Sequence, residues 1–224
     1  MLTAIIVAAG SSRRVGFDKL LAPLLGKPVI AHTIDAFERA NCVTNIIIVA
    51  RQDRHAEIAQ ITSAKISAVI AGGEHRQDSV AAGLLRLGHD PRFVAVHDAA
   101  RPLVTPEVIE RVFAKAQETG AASAAEAVSD TLKRADVDLV VQESVDRHHL
   151  FAMETPQIFE RSLIEDAYRA VFAKNLRITD EVSAVEHLGR KVALVPSEDF
   201  NFKITYERDL KLAELVLRGR TERG

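Results

Sequence analysis

Cysteine is nearly absent from this chain of 224 residues: Cys42 is the only one, so no intrachain disulfide can form. That usage is typical of proteins in a reducing compartment. An excess of one charge is also missing, because 31 acidic residues nearly balance 29 basic ones and leave a formal net charge of −2. We therefore do not expect a strongly basic surface of the kind that binds nucleic acid.

Long apolar runs are missing too. No run approaches the roughly 20 residues that a membrane-spanning helix needs. The run at residues 3–9 is short for a signal peptide, and Arg13 and Arg14 follow it instead of preceding it. We expect a cytoplasmic protein that uses neither a membrane nor nucleic acid as a partner. Apolar residues still make up 47% of the chain, and the length favours a single domain over residues 1–224.

Short runs rich in valine and isoleucine alternate with amphipathic segments in the first half. The runs at residues 3–8, 45–50, 66–71 and 93–97 are typical of strands buried on both faces. The segments between them, residues 28–40, 53–62 and 76–87, show helical spacing. This alternation predicts an α/β fold with a mostly parallel, doubly wound sheet.

The second half continues this pattern and adds a hairpin. A helix is expected after Thr105, as its N-cap, and before Gly120, with a strand at 121–128. Residues 131–135 and 139–145 predict a polar β-hairpin that projects from the core. The remaining predictions are helices at 160–172, 180–188 and 207–217 and a strand at 191–195.

A loop of small residues follows the first predicted strand. Ligands of open α/β sheets bind beyond the carboxyl ends of strands, and small residues such as Gly10 let backbone N–H groups approach a phosphate. Arg14 and Lys19 place positive charge where a polyphosphate would lie. The loop has neither the glycine spacing of a P-loop nor that of a dinucleotide fingerprint, which argues against a dinucleotide-dependent oxidoreductase.

Two further predicted strands end in polar motifs. After one of them, Gly72 and Gly73 would let the backbone pack against a flat base, and Ser79 would hydrogen-bond a base edge. The other ends in residues 97–102, His-Asp-Ala-Ala-Arg-Pro. Magnesium usually takes one or two carboxylates plus phosphate oxygens, so Asp98 is the predicted metal ligand. Arg101 would meet the phosphates or stabilise the site. His97 is interpreted as structural, and no histidine pairing suggests zinc.

With these motifs, the chain resembles the 2-C-methyl-D-erythritol 4-phosphate cytidylyltransferase family, within the sugar-nucleotidyltransferase superfamily, over almost its whole length. The resemblance implies a three-layer, Rossmann-like nucleotidyltransferase fold, a Mg²⁺ cofactor, and transfer of CMP from CTP to 2-C-methyl-D-erythritol 4-phosphate. It implies catalytic roles for Arg14, Lys19 and Lys203. It also implies nucleotide contacts at Ala8, Ala9, Gly10, Gly72, Gly73, Ser79, Ala99 and Arg101, with Arg76 as a further candidate near the base.

For the second substrate, the resemblance implies contacts from Asp130, Thr131, Lys133, Arg147 and Thr179. It also implies a homodimer in which residues 131–150 form an arm, with Arg147 reaching the neighbouring subunit's site. Lys203 would lie on a late strand that Asn201 holds. Two departures stand out: Asp18-Lys19-Leu20 where the family often has Pro-Lys-Gln, and Glu154 where Gln is common.

The sequence leaves two other functions open. The same chemistry on another acceptor, such as ribitol 5-phosphate, would use nearly every motif above. A nucleotide-sensing module would bind CTP without releasing pyrophosphate, although such a module has no need of two lysines near the α-phosphate.

Overall fold

A computed structural model describes residues 1–10, 18–89 and 91–222. The strands are β1 (Leu2–Ala8), β2 (Pro23–Leu24), β3 (Lys27–Pro28), β4 (Val43–Ala50), β5 (Ile66–Ala71), β6 (Phe93–Asp98), β7 (Ala121–Ala127), β8 (Leu132–Ala135), β9 (Val141–Val145), β10 (Phe151–Glu160) and β11 (Ala193–Pro196). The helices are α1 (Val29–Arg39), α2 (His55–Ile58), α3 (Arg76–Leu85), α4 (Pro106–Thr119), α5 (Arg161–Ala173), α6 (Glu181–Glu186) and α7 (Glu207–Thr221), with a 3₁₀ turn at Gln52–Arg54.

Seven strands form the central sheet, in the order β11-β7-β10-β6-β1-β4-β5. The pairs β1–β4, β1–β6, β4–β5 and β11–β7 are parallel. Only β10 among the described strands of this sheet runs antiparallel to both of its neighbours, β6 and β7. The carboxyl ends of β1, β5 and β6 consequently lie at one edge of the sheet, where open α/β sheets bind their ligands.

Helices cover both faces of the sheet. On one face, Phe37 of α1, Val112 of α4 and Ile6 of β1 belong to one apolar cluster. On the other face, Val80 of α3 and Ile164 of α5 belong to the apolar cluster around Ile5 and Val96. A third, smaller cluster joins α7 to β2 through residues that include Leu24, Ile204 and Ala213. The predicted three-layer α/β fold is confirmed.

The local signals placed most elements correctly, and α4 shows why. The Thr105 hydroxyl accepts the backbone N–H of Val108, Pro106 occupies the first turn, and Gly120 ends the helix at φ 81°. A left-handed residue at that position favours glycine because it has no Cβ.

Two local predictions were wrong, and one strand was missed. The helix expected at 53–62 is only a 3₁₀ turn followed by the four-residue α2. Strand β10 was not predicted, because Pro156 and buried polar residues interrupt its apolar pattern. Lys203 does not lie on a strand: residues 201–205 form an irregular segment between β11 and α7.

The predicted hairpin forms as β8 and β9, which pair antiparallel and stand apart from the central sheet. Arg134 and Glu143 form an ion pair across it at 2.6 Å. Its tip is exposed, including the apolar side chains of Val137 and Leu139. Within the described ranges, none of the helices combines the length and hydrophobicity needed to cross a bilayer.

Candidate active site

The loop that follows β1 is tied at both ends by a buried arginine. The Arg54 guanidinium donates to the carbonyl of Ala8 at 2.8 Å, to the carbonyl of Gly10 at 3.2 Å and to the Asp18 carboxylate at 2.6 Å. It thus connects the two sides of a loop whose residues 11–17, with the predicted catalytic Arg14, lie outside the described residues. No motif in the sequence pointed to Arg54, because its partners are more than 30 residues away.

A close backbone approach explains Gly72 at the end of β5. A Cβ at this position would lie 2.3 Å from the Cβ of Ala9 and 2.7 Å from the Ser79 hydroxyl. That hydroxyl accepts the backbone N–H of Gly73 at 3.2 Å. The ends of β1 and β5 and the start of α3 therefore meet without space for a side chain.

Substituting Gly72 tests this contact. The new Cβ of Gly72→Ala is expected to displace Ala9 and Ser79, which both line the cavity beyond β1 and β5. Because overpacking costs about 1–3 kcal/mol, the KM for the nucleotide should rise about tenfold. Steady-state kinetics measures this. Gly88→Ala is the matched control, since a Cβ there meets nothing within 4 Å. Equal kinetics for the two variants would contradict the packing argument.

A buried carboxylate stands at the end of β6. Asp98 Oδ1 accepts the Nε–H of Arg76 at 3.0 Å, and Oδ2 accepts the ammonium of Lys203 at 2.8 Å. Burial opposes ionisation, but the charges of Arg76, Lys203 and Arg101 outweigh it and hold the pKa of Asp98 well below its usual range. The carboxylate is therefore ionised at neutral pH.

Two lysines from opposite ends of the chain meet beside this carboxylate. The Lys19 ammonium donates to the carbonyl of Ile204 at 2.9 Å, next in the chain to Lys203. The backbone N–H of Ile204 donates to the carbonyl of Ala100 at 2.8 Å, which holds the irregular segment against the end of β6. Burial and the nearby Lys203 lower the pKa of Lys19. Positive charge is thus concentrated beside Asp98, at the end of β6.

His97 is excluded as a base by its contacts. Its Nε2 faces the carbonyl of Arg101 at 3.4 Å, and a carbonyl only accepts, so Nε2 carries the proton. Nδ1 then accepts the Thr155 hydroxyl at 3.0 Å. The ring is fully buried against Phe37, and burial lowers the pKa of His97 to about 3. It is a neutral structural residue.

This burial makes stability depend on pH. In the unfolded chain His97 becomes protonated below its ordinary pKa of 6.5, whereas in the native protein it stays neutral down to about pH 3. Protons therefore bind preferentially to the unfolded state, and the free energy of unfolding falls as the pH falls. Between pH 7 and 5 this loss is expected to be about 2 kcal/mol, since one pKa unit corresponds to about 1.4 kcal/mol. Urea unfolding of the wild type and of His97→Gln at both pH values measures it. The variant should lack this part of the slope, and an unchanged slope would rule out His97 as its source.

Two cavities meet at the Asp98 cluster. The first, of about 600 Å³, lies beyond β1, β5 and β6; the second, of about 380 Å³, lies between β10 and the start of α6. Arg76, Asp98 and Lys203 line both cavities. A ligand in each cavity would face the same carboxylate and the same cations.

The predicted site residues divide between these cavities and the hairpin. Ala9, Gly10, Lys19, Gly73, Ser79, Asp98 and Lys203 line the first cavity, and Thr179 and Arg101 line the second. Ala8 and Ala99 are buried and do not line the first cavity, but each is next in the chain to a residue that does, Ala9 and Asp98 respectively. Asp130, Thr131, Lys133 and Arg147 lie on or beside the exposed hairpin, and none of them borders either cavity in the part of the chain that the structure describes.

Arg101 is held by protein groups. Its guanidinium donates to the carbonyls of Asn201 at 2.7 Å and Met153 at 3.2 Å and faces Glu154 at 3.5 Å. Burial raises the pKa of the Glu154 carboxyl. Asn201 in turn donates to Glu154 and to the carbonyl of Thr155. These contacts favour a stabilising role for Arg101 over a direct phosphate contact, which stays a prediction.

The donor set at the site fits a divalent cation that takes most of its ligands from a substrate. No group of three or more His, Cys, Asp or Glu side chains that could hold a metal occurs among the described residues. Asp98 offers a single ionised carboxylate between the cavities. One carboxylate together with phosphate oxygens is a usual environment for magnesium.

The carboxyl edge of the sheet carries two adjoining cavities with cations and the Asp98 carboxylate between them, an arrangement that suits a nucleotidyltransferase acting on two phosphate-bearing substrates. The model of the 2-C-methyl-D-erythritol 4-phosphate cytidylyltransferase family matches residues 2–219. The chain belongs to this family.

Individual relatives match over nearly their full length. Proteins named 2-C-methyl-D-erythritol 4-phosphate cytidylyltransferase are 38% identical over 96% of this chain and 96% of the relative in Halalkalibacterium halodurans, and 42% identical over 97% and 98% in a Synechococcus species. The crystal structure of 4-diphosphocytidyl-2C-methyl-D-erythritol synthase from Anaerococcus prevotii is similar with a TM-score of 0.86 at 29% identity, covering 97% of this chain and 96% of that one.

Proposed function

We propose that this chain transfers CMP from CTP to 2-C-methyl-D-erythritol 4-phosphate, giving 4-diphosphocytidyl-2-C-methyl-D-erythritol and pyrophosphate. The observation that carries the proposal is the meeting of Lys19, Asp98 and Lys203, from three distant segments, at the border of two cavities. CTP occupies the first cavity and the polyol phosphate occupies the second. The names of the full-length relatives favour this acceptor over ribitol 5-phosphate.

The reaction is an in-line displacement at phosphorus. An oxygen of the polyol phosphate attacks the α-phosphorus of CTP and forms a new P–O bond. The bond from the α-phosphorus to the bridging oxygen breaks, and its electron pair leaves with pyrophosphate. A phosphate monoester carries most of two negative charges near pH 7 and needs no base, which agrees with a fully buried, neutral His97.

Catalysis by this chain is mainly electrostatic. CTP brings about four negative charges and the polyol phosphate about two. Lys19 and Lys203 stabilise the charge that builds up on the α-phosphate, and Arg14 follows the departing pyrophosphate. Fixed cations need no reorganisation during the reaction, which is the usual basis of phosphoryl-type catalysis.

Magnesium is the proposed cofactor. Asp98 would hold it by exchanging its contact with Lys203 for the metal while keeping its contact with Arg76. A bound Mg²⁺ would neutralise phosphate charge and orient the triphosphate. Lys203, released from Asp98, would then be free to meet phosphate oxygens from either cavity.

The hairpin is the proposed dimer arm, residues 131–150. Its tip exposes Val137, Leu139 and Val140, and an isolated hairpin gains stability from a partner. Arg147, two residues after β9, would reach the partner's second cavity. We expect a dimer by light scattering, and expect Val137→Asp with Leu139→Asp to shift the mass towards the monomer, since charges are costly to bury unpaired. A monomeric wild type would contradict the arm.

A pyrophosphate-release assay tests the reaction. The wild type is given CTP and Mg²⁺ with 2-C-methyl-D-erythritol 4-phosphate, and in parallel with ribitol 5-phosphate. The proposal expects turnover that needs the acceptor and is higher with the methylerythritol phosphate. Binding of CTP without pyrophosphate release would support a nucleotide sensor instead.

A further inference from the structure

Arg76 connects the two cavities. It is the first residue of α3, lines both cavities, and directs its guanidinium to two carboxylates on different elements. Its Nε donates to Asp98 at 3.0 Å, and its two terminal nitrogens donate to the two oxygens of Glu181 at 2.7 and 3.0 Å. Three of the five N–H groups of this arginine are therefore committed to protein, which disfavours the contact with the base suggested by sequence.

Glu181 lies on the side of the second cavity but does not line it. It is fully buried at the start of α6, and the Tyr168 hydroxyl also donates to it, at 2.8 Å. Removing the arginine that pairs with a buried carboxylate leaves that charge uncompensated. Burial alone would lower the pKa of Arg76, but Glu181 and Asp98 raise it. The Arg76 guanidinium is therefore charged, and its two hydrogen bonds hold it against Glu181.

A glutamine on β10 holds the same part of the chain through its backbone. Gln157 Oε1 accepts the N–H groups of Glu181 at 3.1 Å and Val182 at 3.2 Å. Its Nε2 donates to Asp180 at 3.0 Å. Thr179, Asp180, Val182 and Ser183 form one wall of the second cavity. This wall is therefore anchored to the sheet by Gln157 and to Asp98 by the Arg76–Glu181 pair.

We infer that Arg76 is a positioning residue: through Glu181 it sets the wall of the acceptor cavity relative to Asp98, and so aligns the acceptor phosphate with the α-phosphorus. The inference rests on the proposed function. A bidentate arginine suits this task because its planar fork fixes direction as well as distance. A lysine would retain the charge but could not hold both carboxylates in this arrangement.

Glu181→Gln is the discriminating variant, because Glu181 borders neither of the two cavities and cannot act by touching a substrate. It is expected to lower kcat/KM for the polyol phosphate about 10- to 100-fold, since a displacement of about 1 Å costs on that order. The KM for CTP should change less than about threefold, because the Gly72, Gly73 and Ser79 wall is untouched. Arg76→Lys should show the same asymmetry.

The double variant tests whether both residues act through one contact. Arg76→Lys with Glu181→Gln is expected to be little worse than the more damaging single variant, because each already breaks the pair. Strictly additive losses, equal changes for both substrates, or wild-type kinetics in folded Glu181→Gln would overturn the inference. Circular dichroism and thermal unfolding establish folding, and Glu181→Asp, which keeps the charge but shortens the reach to Arg76, carries the test if Glu181→Gln does not fold.

A control and a reference separate this inference from the proposed function. Glu165→Gln removes the carboxylate of another arginine pair, with Arg161 at 2.7 Å, away from both cavities, and should leave both KM values unchanged. If the wild type itself releases no pyrophosphate, the proposed function fails. If the wild type turns over and the substrate asymmetry is missing from the variants, only the positioning role fails.

Discussion

Lys203→Ala is expected to lower turnover about 10²–10³-fold, the usual loss when one preorganised donor to a transition state is removed. Lys203 lines both cavities and contacts Asp98 at 2.8 Å, so its ammonium is available to phosphates on either side of the reacting phosphorus. Pyrophosphate release at saturating CTP and acceptor measures the effect. Lys19→Ala should lose a similar factor, because its ammonium lies beside the same segment.

The protein should remain folded when Lys203 is lost. Asp98 keeps Arg76 as a partner, and the lost hydrogen bond to a charged group contributes about 1.5–3 kcal/mol to stability, which a domain of this size can lose without unfolding. Lys203→Arg should recover part of the turnover, because it restores charge without the compact ammonium. Lys211→Ala, an exposed lysine on α7, is the matched control and should behave as wild type. Near-normal turnover of folded Lys203→Ala would refute the catalytic assignment.

Asp98→Asn is expected to damage both activity and folding. Turnover should fall about 10³-fold, at the upper end of the range for losing one electrostatic group, because Asp98 is the proposed metal ligand and also orients Lys203. The unfolding free energy at pH 7 should fall by about 3–5 kcal/mol, the cost of breaking a buried ion pair from one side. The isosteric amide leaves Arg76 and Lys203 facing a neutral group.

The stability effect has a defined pH window. The pKa of Asp98 in the folded protein lies below its value in the unfolded chain, which is about 4. Its contribution is therefore present above about pH 4 and is lost as the pH falls further. Urea unfolding should show a large difference between wild type and Asp98→Asn at pH 7 and a smaller one at pH 3. Asp166→Asn, which removes a largely exposed pair with Arg169, should cost at most about 1 kcal/mol. A similar loss in both variants would contradict the account.

The missed parts of the candidate site have a common cause. The partners of Arg54 are at least 36 positions away in the chain, and Glu181 is 105 positions away from Arg76. Nothing in the neighbouring sequence reveals these distant partners. Strand β10 was missed because Glu154 and Gln157 interrupt its apolar pattern. These two side chains can be buried because α6 and residues 197–201 supply their hydrogen-bond partners. Polar residues of this kind become intelligible only when their partners are known.

Local sequence signals were enough to establish the α/β layering and the positions of the loops that carry the site. Apolar runs of strand length, amphipathic helices and the caps of α4 depend on neighbours a few residues apart, so local physics was sufficient. Three features became known only from the folded chain: β10 is antiparallel to its neighbours, Lys203 lies on an irregular segment beside Lys19 and Asp98, and Arg76 joins two cavities. These features depend on which distant groups compensate one another's buried charge, and hydrophobic periodicity carries no information about that choice.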